Sequence, residues 1–182
     1  MTRKLYKDSV KQLVDTIQIN FSNGAIMPSL ILLYSTIDIM AWLSREKDHE
    51  KNDRGDFKGW VNSYLLPNSE LDCEAIDLYA ARCSILHSYT YESMLSLKGE
   101  AKAIFYTWGN ADTKYAQNLI NRAELPITGT VIHIDDLIGA LKMGIQLFDK
   151  KLSHSPKLSK LVSDRADKFF GMIPSTLLMS NK

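Results

Sequence analysis

Residues 25–43, AIMPSLILLYSTIDIMAWL, are the most apolar run in the chain and predict its central helix. Pro28 can occupy the first turn of a helix, where its missing N–H donor costs nothing, and the residues after it are apolar on nearly every side. The run has nearly the length of a membrane span, yet it contains the polar residues Ser29, Ser35, Thr36 and Asp38. We therefore expect a buried core helix and no membrane association.

Size and composition predict a single globular domain. The chain has 182 residues, with 45% hydrophobic and 24% charged residues, which is enough to bury one core without disulfides or metals. The formal charge is +1 and the sequence pI about 7.7, so the chain is not strongly basic. Any contact with a nucleic acid must therefore be local.

Two observations predict a cytoplasmic protein. The amino-terminal residues read as an amphipathic helix, and we expect no secretory signal. Cys73 and Cys83 fall ten residues apart on one predicted helix, roughly 15 Å at helical rise and beyond the reach of a disulfide. Two unpaired thiols fit a reducing compartment.

Three more helices are predicted in the first half. Apolar residues recur at helical spacing from Leu5 to Ile17, and residues 21–24, FSNG, end that first helix. A short helix spans residues 57–65 before Pro67, and Ser69 with Asp72 resembles a capping box that opens a fourth helix over residues 70–97. The charge-dense residues 45–59 have no apolar period and predict a loop.

The second half alternates strands and helices. Residues 102–108 and 127–134 are rich in aromatic and branched side chains and predict strands. Residues 113–122 predict a short helix between them. Asp135 and Asp136 can cap a longer helix, and Ser155-Pro156 opens a last helix to about Phe170.

The predicted fold is mainly α, a helical bundle with a small two-stranded β element in the carboxyl-terminal half. Residues 1–182 form one domain. Within it, residues 1–99 form the bundle core, and residues 100–182 form a strand-helix-strand-helix-helix extension to which the sequence assigns no role.

The fourth helix carries an arginine and a histidine five residues apart, Arg82 and His87. At 100° per residue Arg82 shares an apolar face with Leu78 and Leu86, and His87 lies about 140° around the axis, so the two side chains are predicted to flank a stripe without touching. An arginine on an apolar face needs a partner, since an uncompensated buried charge is costly. Asp38, the ionisable residue within the central helix, is the predicted one.

Residues 77–88, DLYAARCSILHS, resemble the signature of the HEPN superfamily, in which a histidine follows an arginine after four to six residues. The resemblance covers the fourth helix and, loosely, the second. It implies an up-and-down bundle, a homodimer and a composite site at the dimer interface that cuts RNA without a metal. By this resemblance His87 is the acid/base that acts on a ribose 2′-hydroxyl, and Arg82 stabilises charge on the phosphoryl oxygens.

One position departs from the family pattern. The residue after the arginine is usually polar in active members, often Asn, Asp or His, whereas this chain has Cys83. A thiol does not replace an amide or carboxylate as an orienting group, so Cys83 bears on catalysis more than on fold. The alternative hypothesis is a catalytically inactive HEPN-like binding or regulatory protein, with a cognate protein partner.

Other candidate sites have simpler explanations. A metal site at His133, Asp135 and Asp136 would draw on a strand and a helix start, and helix capping explains the aspartates better. No glycine-rich phosphate loop, nucleotide fingerprint or serine elbow occurs, and we expect no cofactor or metal. Residues 105–108, FYTW, are predicted to pack in the core. Two basic clusters could follow a phosphate backbone or form solvated helix faces; they comprise Arg3, Lys4, Lys7 and Lys11, and Lys150, Lys151, Lys157 and Lys160.

Overall fold

Two long helices joined by a short turn begin the fold. The structure is a computed structural model that describes residues 2–45 and 53–169. Helix α1 (Thr2–Ser22) ends before Gly24, which has a φ of +77°, and α2 (Ile26–Ser44) runs back along it. A left-handed backbone costs glycine little, so this residue allows the chain to reverse within three residues.

Helix α2 is the centre of the bundle, as the sequence predicts. It packs against α1 and against four later helices, and Leu33, Tyr34, Ile37 and Met40 are fully buried. Among the described residues it is the one helix long and apolar enough to cross a membrane, by length and composition alone, with a mean hydropathy of 1.6. Half of that window is buried within the protein, as in the core helix of a globular bundle.

A short helix, α3 (Arg54–Trp60), follows the charged segment. Asp53 accepts from the N–H of Asp56, and Asp56 accepts from the N–H of Asp53, so the two carboxylates cap the first turn. The helix continues through a π-helical turn at residues 61–65 and a 3-10 turn at residues 66–68. The predicted loop over residues 45–59 is therefore wrong for residues 54–59; residues 46–52 lie outside the described part of the chain.

The predicted fourth helix is shorter than expected. Helix α4 is Ala75–Ser88, and a separate turn, α5, is Met94–Leu97. Asp77 accepts from the N–H of Glu74, so its carboxylate starts the helix later than the predicted Ser69 and Asp72. Tyr89, with a φ of +56°, ends it in a left-handed conformation. Cys73 thus precedes α4 and does not share a helix with Cys83.

A strand-helix-strand unit covers one side of the bundle, as predicted. It consists of β1 (Ala103–Thr107), α6 (Thr113–Arg122) and β2 (Gly129–His133). The two strands pair in parallel, with Ala103 opposite Gly129 and Thr107 opposite His133. The intervening helix supplies the crossover that a parallel pair requires.

The outer edge of β2 is closed by one side chain on α6. The Gln117 amide nitrogen donates to the carbonyl of Gly129 at 3.1 Å, and its oxygen accepts from the N–H of Val131 at 2.8 Å. These are the backbone groups that a further strand would use. Gln117 therefore occupies the place of a neighbouring strand on this side.

Two helices complete the bundle, α7 (Ile134–His154) and α8 (Pro156–Phe169). Asp135 and Asp136 lie in the first turn of α7 rather than at its N-cap, where the helix dipole favours them. The Phe148 ring meets Tyr64 edge to face at 5.2 Å. Residues from β1, β2, α7 and α8 belong to the same core cluster as the first helices.

Arg165 of α8 closes the carboxyl end of α2. One of its terminal nitrogens donates to the carbonyls of Trp42, Leu43 and Arg45, and Arg165 is only 5% exposed. The last carbonyls of a helix have no partner within it, so a cation here satisfies them and complements the helix dipole.

Candidate functional site

The predicted ion pair joins α2 and α4 at the candidate site. The Nε of Arg82 donates to Oδ2 of Asp38 at 2.7 Å, and the two side chains are 24% and 20% exposed. A charge-assisted hydrogen bond in this half-buried position holds the guanidinium by its inner nitrogen. One outer nitrogen, Nη1, approaches side chains of α4 itself.

Arg82 and His87 touch, contrary to the prediction. Nη1 of Arg82 lies 3.3 Å from Nε2 of His87. Helical angles describe where side chains leave the backbone, whereas the arginine side chain is long enough to follow the helix for more than a turn. The fixed cation and the titratable ring therefore form one unit.

The contact has a requirement for the tautomer of the imidazole. A guanidinium has five N–H donors and no acceptor, so a hydrogen bond from Nη1 of Arg82 requires an accepting Nε2 on His87 and a ring proton at Nδ1. That tautomer has the lone pair that a general base uses.

His87 and Cys83 line a groove of about 580 Å³, which we call the motif groove. Its lining comes from α3, α4 and the segment through α5, and includes Arg54, Tyr79, Cys83, Ser84, His87, Thr90, Glu92 and Met94. His87 is exposed and Arg82 partly exposed. The pair therefore faces solvent.

Two shifted pKa values describe the ion pair. Burial raises the pKa of Asp38 above its ordinary value, although the hydrogen bond and charge of Arg82 act in the opposite direction. Burial opposes the charge of Arg82, but the hydrogen bond and charge of Asp38 outweigh it and raise its pKa. Arg82 therefore stays cationic throughout the range in which proteins fold.

Cys83 lies beside the guanidinium. Its Sγ is 4.0 Å from Nη1 of Arg82, and it lines the motif groove. Burial, followed by the neighbouring Cys83, raises the pKa of Tyr79, which is one turn earlier on α4. The thiol thus contacts the site from the side and offers a weak sulfur acceptor in place of an amide or carboxylate.

Arg54 is a site residue that was not predicted from the sequence. Its guanidinium lies 5.8 Å from the centre of the Tyr79 ring, and Nη1 is 3.9 Å from a Glu100 carboxylate oxygen. Arg54 stands in the segment predicted as a loop, so no pattern directed attention to it. It supplies an arginine to the lining of the motif groove.

The two lysine-rich clusters do not contribute to the motif groove. Among the described residues, none of their lysines lines it. Lys7 and Lys11 line a separate groove with Tyr6 and Asp149, and Tyr6 donates to Asp149 at 3.0 Å.

The remaining candidates are resolved by their contacts. His133 Nε2 lies 3.1 Å from the Gly109 carbonyl oxygen, and Nδ1 is 3.3 Å from a carboxylate oxygen of Asp135. Within residues 2–45 and 53–169, no group of three or more His, Cys, Asp or Glu residues could hold a metal ion. Trp108 was predicted to lie in the core but is 52% exposed, because β1 ends at Thr107 and the chain turns outward.

No protein-family model, curated protein or solved structure matches the chain.

Proposed function

We propose that the protein is a metal-independent, HEPN-like ribonuclease that acts as a cytoplasmic homodimer. The contact of 3.3 Å between Arg82 and His87, beside a groove that His87 lines, carries the proposal. It brings together a permanent phosphate-binding cation and a neutral imidazole at a distance that one phosphodiester could span.

The chemistry follows from the hydrogen bonds of the free site. A phosphate that enters the groove offers better acceptors to Nη1 of Arg82 than the imidazole does, because the bond is then charge-assisted at both ends. Nε2 of His87 is released and accepts the proton of the ribose 2′-hydroxyl. Asp38 keeps Nε of Arg82 in place throughout.

The 2′-oxygen then attacks phosphorus and the bond to the 5′-oxygen breaks, which leaves a 2′,3′-cyclic phosphate. The imidazolium of His87 gives the proton that it accepted to the leaving 5′-oxygen and returns to its neutral form, in a composite site completed by the second copy of the motif in the dimer. Arg82 offsets the charge that develops on the non-bridging oxygens. The residues act without a redox step.

The test is an RNA cleavage assay with matched histidine variants. We expect His87→Ala to reduce the cleavage rate by roughly 10²- to 10⁴-fold. His154→Ala is the control, since His154 is exposed and stands at the far end of α7. Arg82→Lys keeps the charge and the ion pair but loses the planar fork, and should also reduce the rate.

Three further readouts define the reaction. The product should carry a cyclic phosphate, and EDTA should leave the rate unchanged. Light scattering should give the mass of a dimer. Cleavage that persists in His87→Ala, with folding shown by circular dichroism, would rule out this site.

One observation favours the alternative, a catalytically inactive binding or regulatory protein. Cys83 stands where active HEPN proteins usually have a polar orienting residue, and its sulfur approaches Arg82. Absence of cleavage by the wild type, together with an RNA or protein bound at the motif groove, would support this second function. Restoring the family pattern with Cys83→Asn gives a direct comparison.

A further inference from the structure

We propose that a groove between α4 and the outer edge of β1 binds an extended apolar peptide segment of a partner protein, which joins the sheet as a third strand. We call it the edge groove. It has a volume of about 390 Å³, and its lining includes Ala81, Ser84, Ile85, Tyr89, Ile104, Tyr106 and Trp108. The proposal goes beyond the ribonuclease function and does not depend on it.

The pairing of the strands identifies which backbone groups face this groove. The N–H of Ala103 donates to the carbonyl of Thr128, and the strands are parallel. Alternate residues of a strand direct their N–H and C=O to opposite sides. Ala103, Phe105 and Thr107 therefore bond to β2, whereas Ile104 and Tyr106 direct their backbone groups to the outer edge.

The outer edge of β1 is hydrogen-bonded at Lys102, but no partner among the described residues bonds to it further along. The N–H of Lys102, the preceding outward group, donates to the Asp77 carboxylate at 2.7 Å. Within the described ranges no hydrogen bond reaches the N–H or C=O of Ile104 or of Tyr106. Ile104 is only 2% exposed and Tyr106 is partly exposed, so a strand that joins this edge meets the backbone groups of Tyr106 first. Buried backbone groups without a partner are rare and costly.

The strand edge is held rigidly for such a partner. The Tyr106 hydroxyl lies 2.5 Å from the hydroxyl of Tyr34 on α2, and the Ile104 side chain is part of the core. Both side chains point into the bundle, so the direction of the intervening backbone is set before anything binds. A rigid edge reduces the entropy lost on strand addition.

The lining determines the chemistry of the occupant. Every described residue that lines the edge groove is uncharged, and most are aliphatic or aromatic. A nucleic acid would require cations for its phosphates, whereas an extended peptide with apolar side chains satisfies both the free backbone groups and the surface. Tyr89, Tyr91 and Trp108 are 65%, 44% and 52% exposed at the mouth, where a bound segment would cover them.

The probe is a display library of random dodecapeptides, selected on the full chain and counter-selected on Trp108→Lys. This variant places a charge at the mouth of the groove at an exposed position. We expect enrichment of peptides with alternating apolar residues. A resynthesised peptide should bind at least tenfold more weakly to Trp108→Lys and equally well to Tyr115→Lys, a matched change at an exposed tyrosine on α6.

The peptide backbone provides the decisive readout. N-methylation at every second residue should reduce affinity at least tenfold in one register and have little effect in the other, because only one set of amides faces β1. Amide exchange measured by NMR should slow at Tyr106 on binding, and stay unchanged at Phe105, which already donates to β2.

Four outcomes overturn the proposal. The first is that no peptide is enriched on the wild type relative to Trp108→Lys. The second is that N-methylation has the same effect on affinity in both registers. The third is that a single-stranded oligonucleotide competes with the peptide, which would assign the groove to nucleic acid. The fourth is self-association that Trp108→Lys abolishes, which would assign the groove to a second copy of the chain. Ribonuclease activity is assayed separately through His87, so each proposal can fail alone.

Discussion

At the scale of residues, the arrangement of the site follows from the ion pair between Asp38 and Arg82, in which burial disfavours the charged form of the carboxylate. The helices around α2 shield Asp38 from solvent, and this burial raises its pKa more than Arg82 lowers it. A carboxylate in this position is a positioning group with a cost: it holds the arginine by Nε, and its ionised form is less favourable than in an unfolded chain.

The pH dependence of Asp38 tests this account. We expect its carboxyl carbon, followed by NMR in the folded protein, to titrate above 3.8, its ordinary value. Because the native pKa exceeds the unfolded one, the contribution of this group to stability is fully present below the unfolded pKa and is lost as the pH rises through the native pKa. In Arg82→Gln the midpoint should rise further, since both lowering influences of the arginine are removed. A midpoint that falls in this variant would contradict the account.

The same residues show where sequence reasoning stops. The pairing of Asp38 with Arg82 was predictable, because a cation on an apolar helix face must have a partner and α2 offers one carboxylate. The contact between Arg82 and His87 was not, because helical spacing carries no information on how a long side chain bends. Helical spacing likewise does not show that Asp77 is 3% exposed, with its carboxylate bonded to two backbone N–H groups.

At the scale of elements, helix ends decide the geometry more than helix centres do. Helix α4 ends at Tyr89, two residues after His87, and this end directs the chain into the segment that closes the motif groove. No glycine marks the end, so sequence alone extended the helix to residue 97. The bounds of α6 were predicted correctly, because Asp112 accepts from the N–H groups of Lys114 and Tyr115 and starts the helix.

Arg165 offers a test at a helix end. Replacing it with Met keeps much of its volume but leaves the last carbonyls of α2 buried and without its donors. We expect a loss of about 2–4 kcal/mol in the free energy of unfolding, measured with urea. Arg122→Met is the control, since Arg122 is exposed in the last turn of α6. Equal effects of the two substitutions would contradict the capping role.

At the scale of the whole molecule, one core joins the two halves of the chain. The sequence predicted the helical class and the order of the strands and helices, because hydrophobic periodicity and residue composition indicate the type of each element separately. It contained no signal for how deeply the second half packs into the first. Helix α7 packs directly on the first half of the chain. The Phe148 ring contacts Tyr64, and a Cβ added at Gly144 would lie 3.1 Å from the Tyr64 carbonyl oxygen.

A shared core predicts one unfolding transition. With 5-fluorotryptophan incorporated, the ¹⁹F signals of Trp42, Trp60 and Trp108 should disappear at the same urea concentration, since they report on α2, α3 and the end of β1. A fragment of residues 1–99 should fail to fold, because it lacks the α7 side chains that cover Tyr64. Separate transitions for Trp60 and Trp108 would show two independent units.

Gln117 has a consequence for how the molecule can assemble. The Gln117 amide already occupies the far side of β2, so a strand can be added to this sheet only at β1. A strand added there cannot extend the sheet on the other side of this chain. Such a molecule terminates a stack instead of propagating it. The glutamine thereby separates a surface suited to capturing one guest from the two-sided template on which fibrils grow.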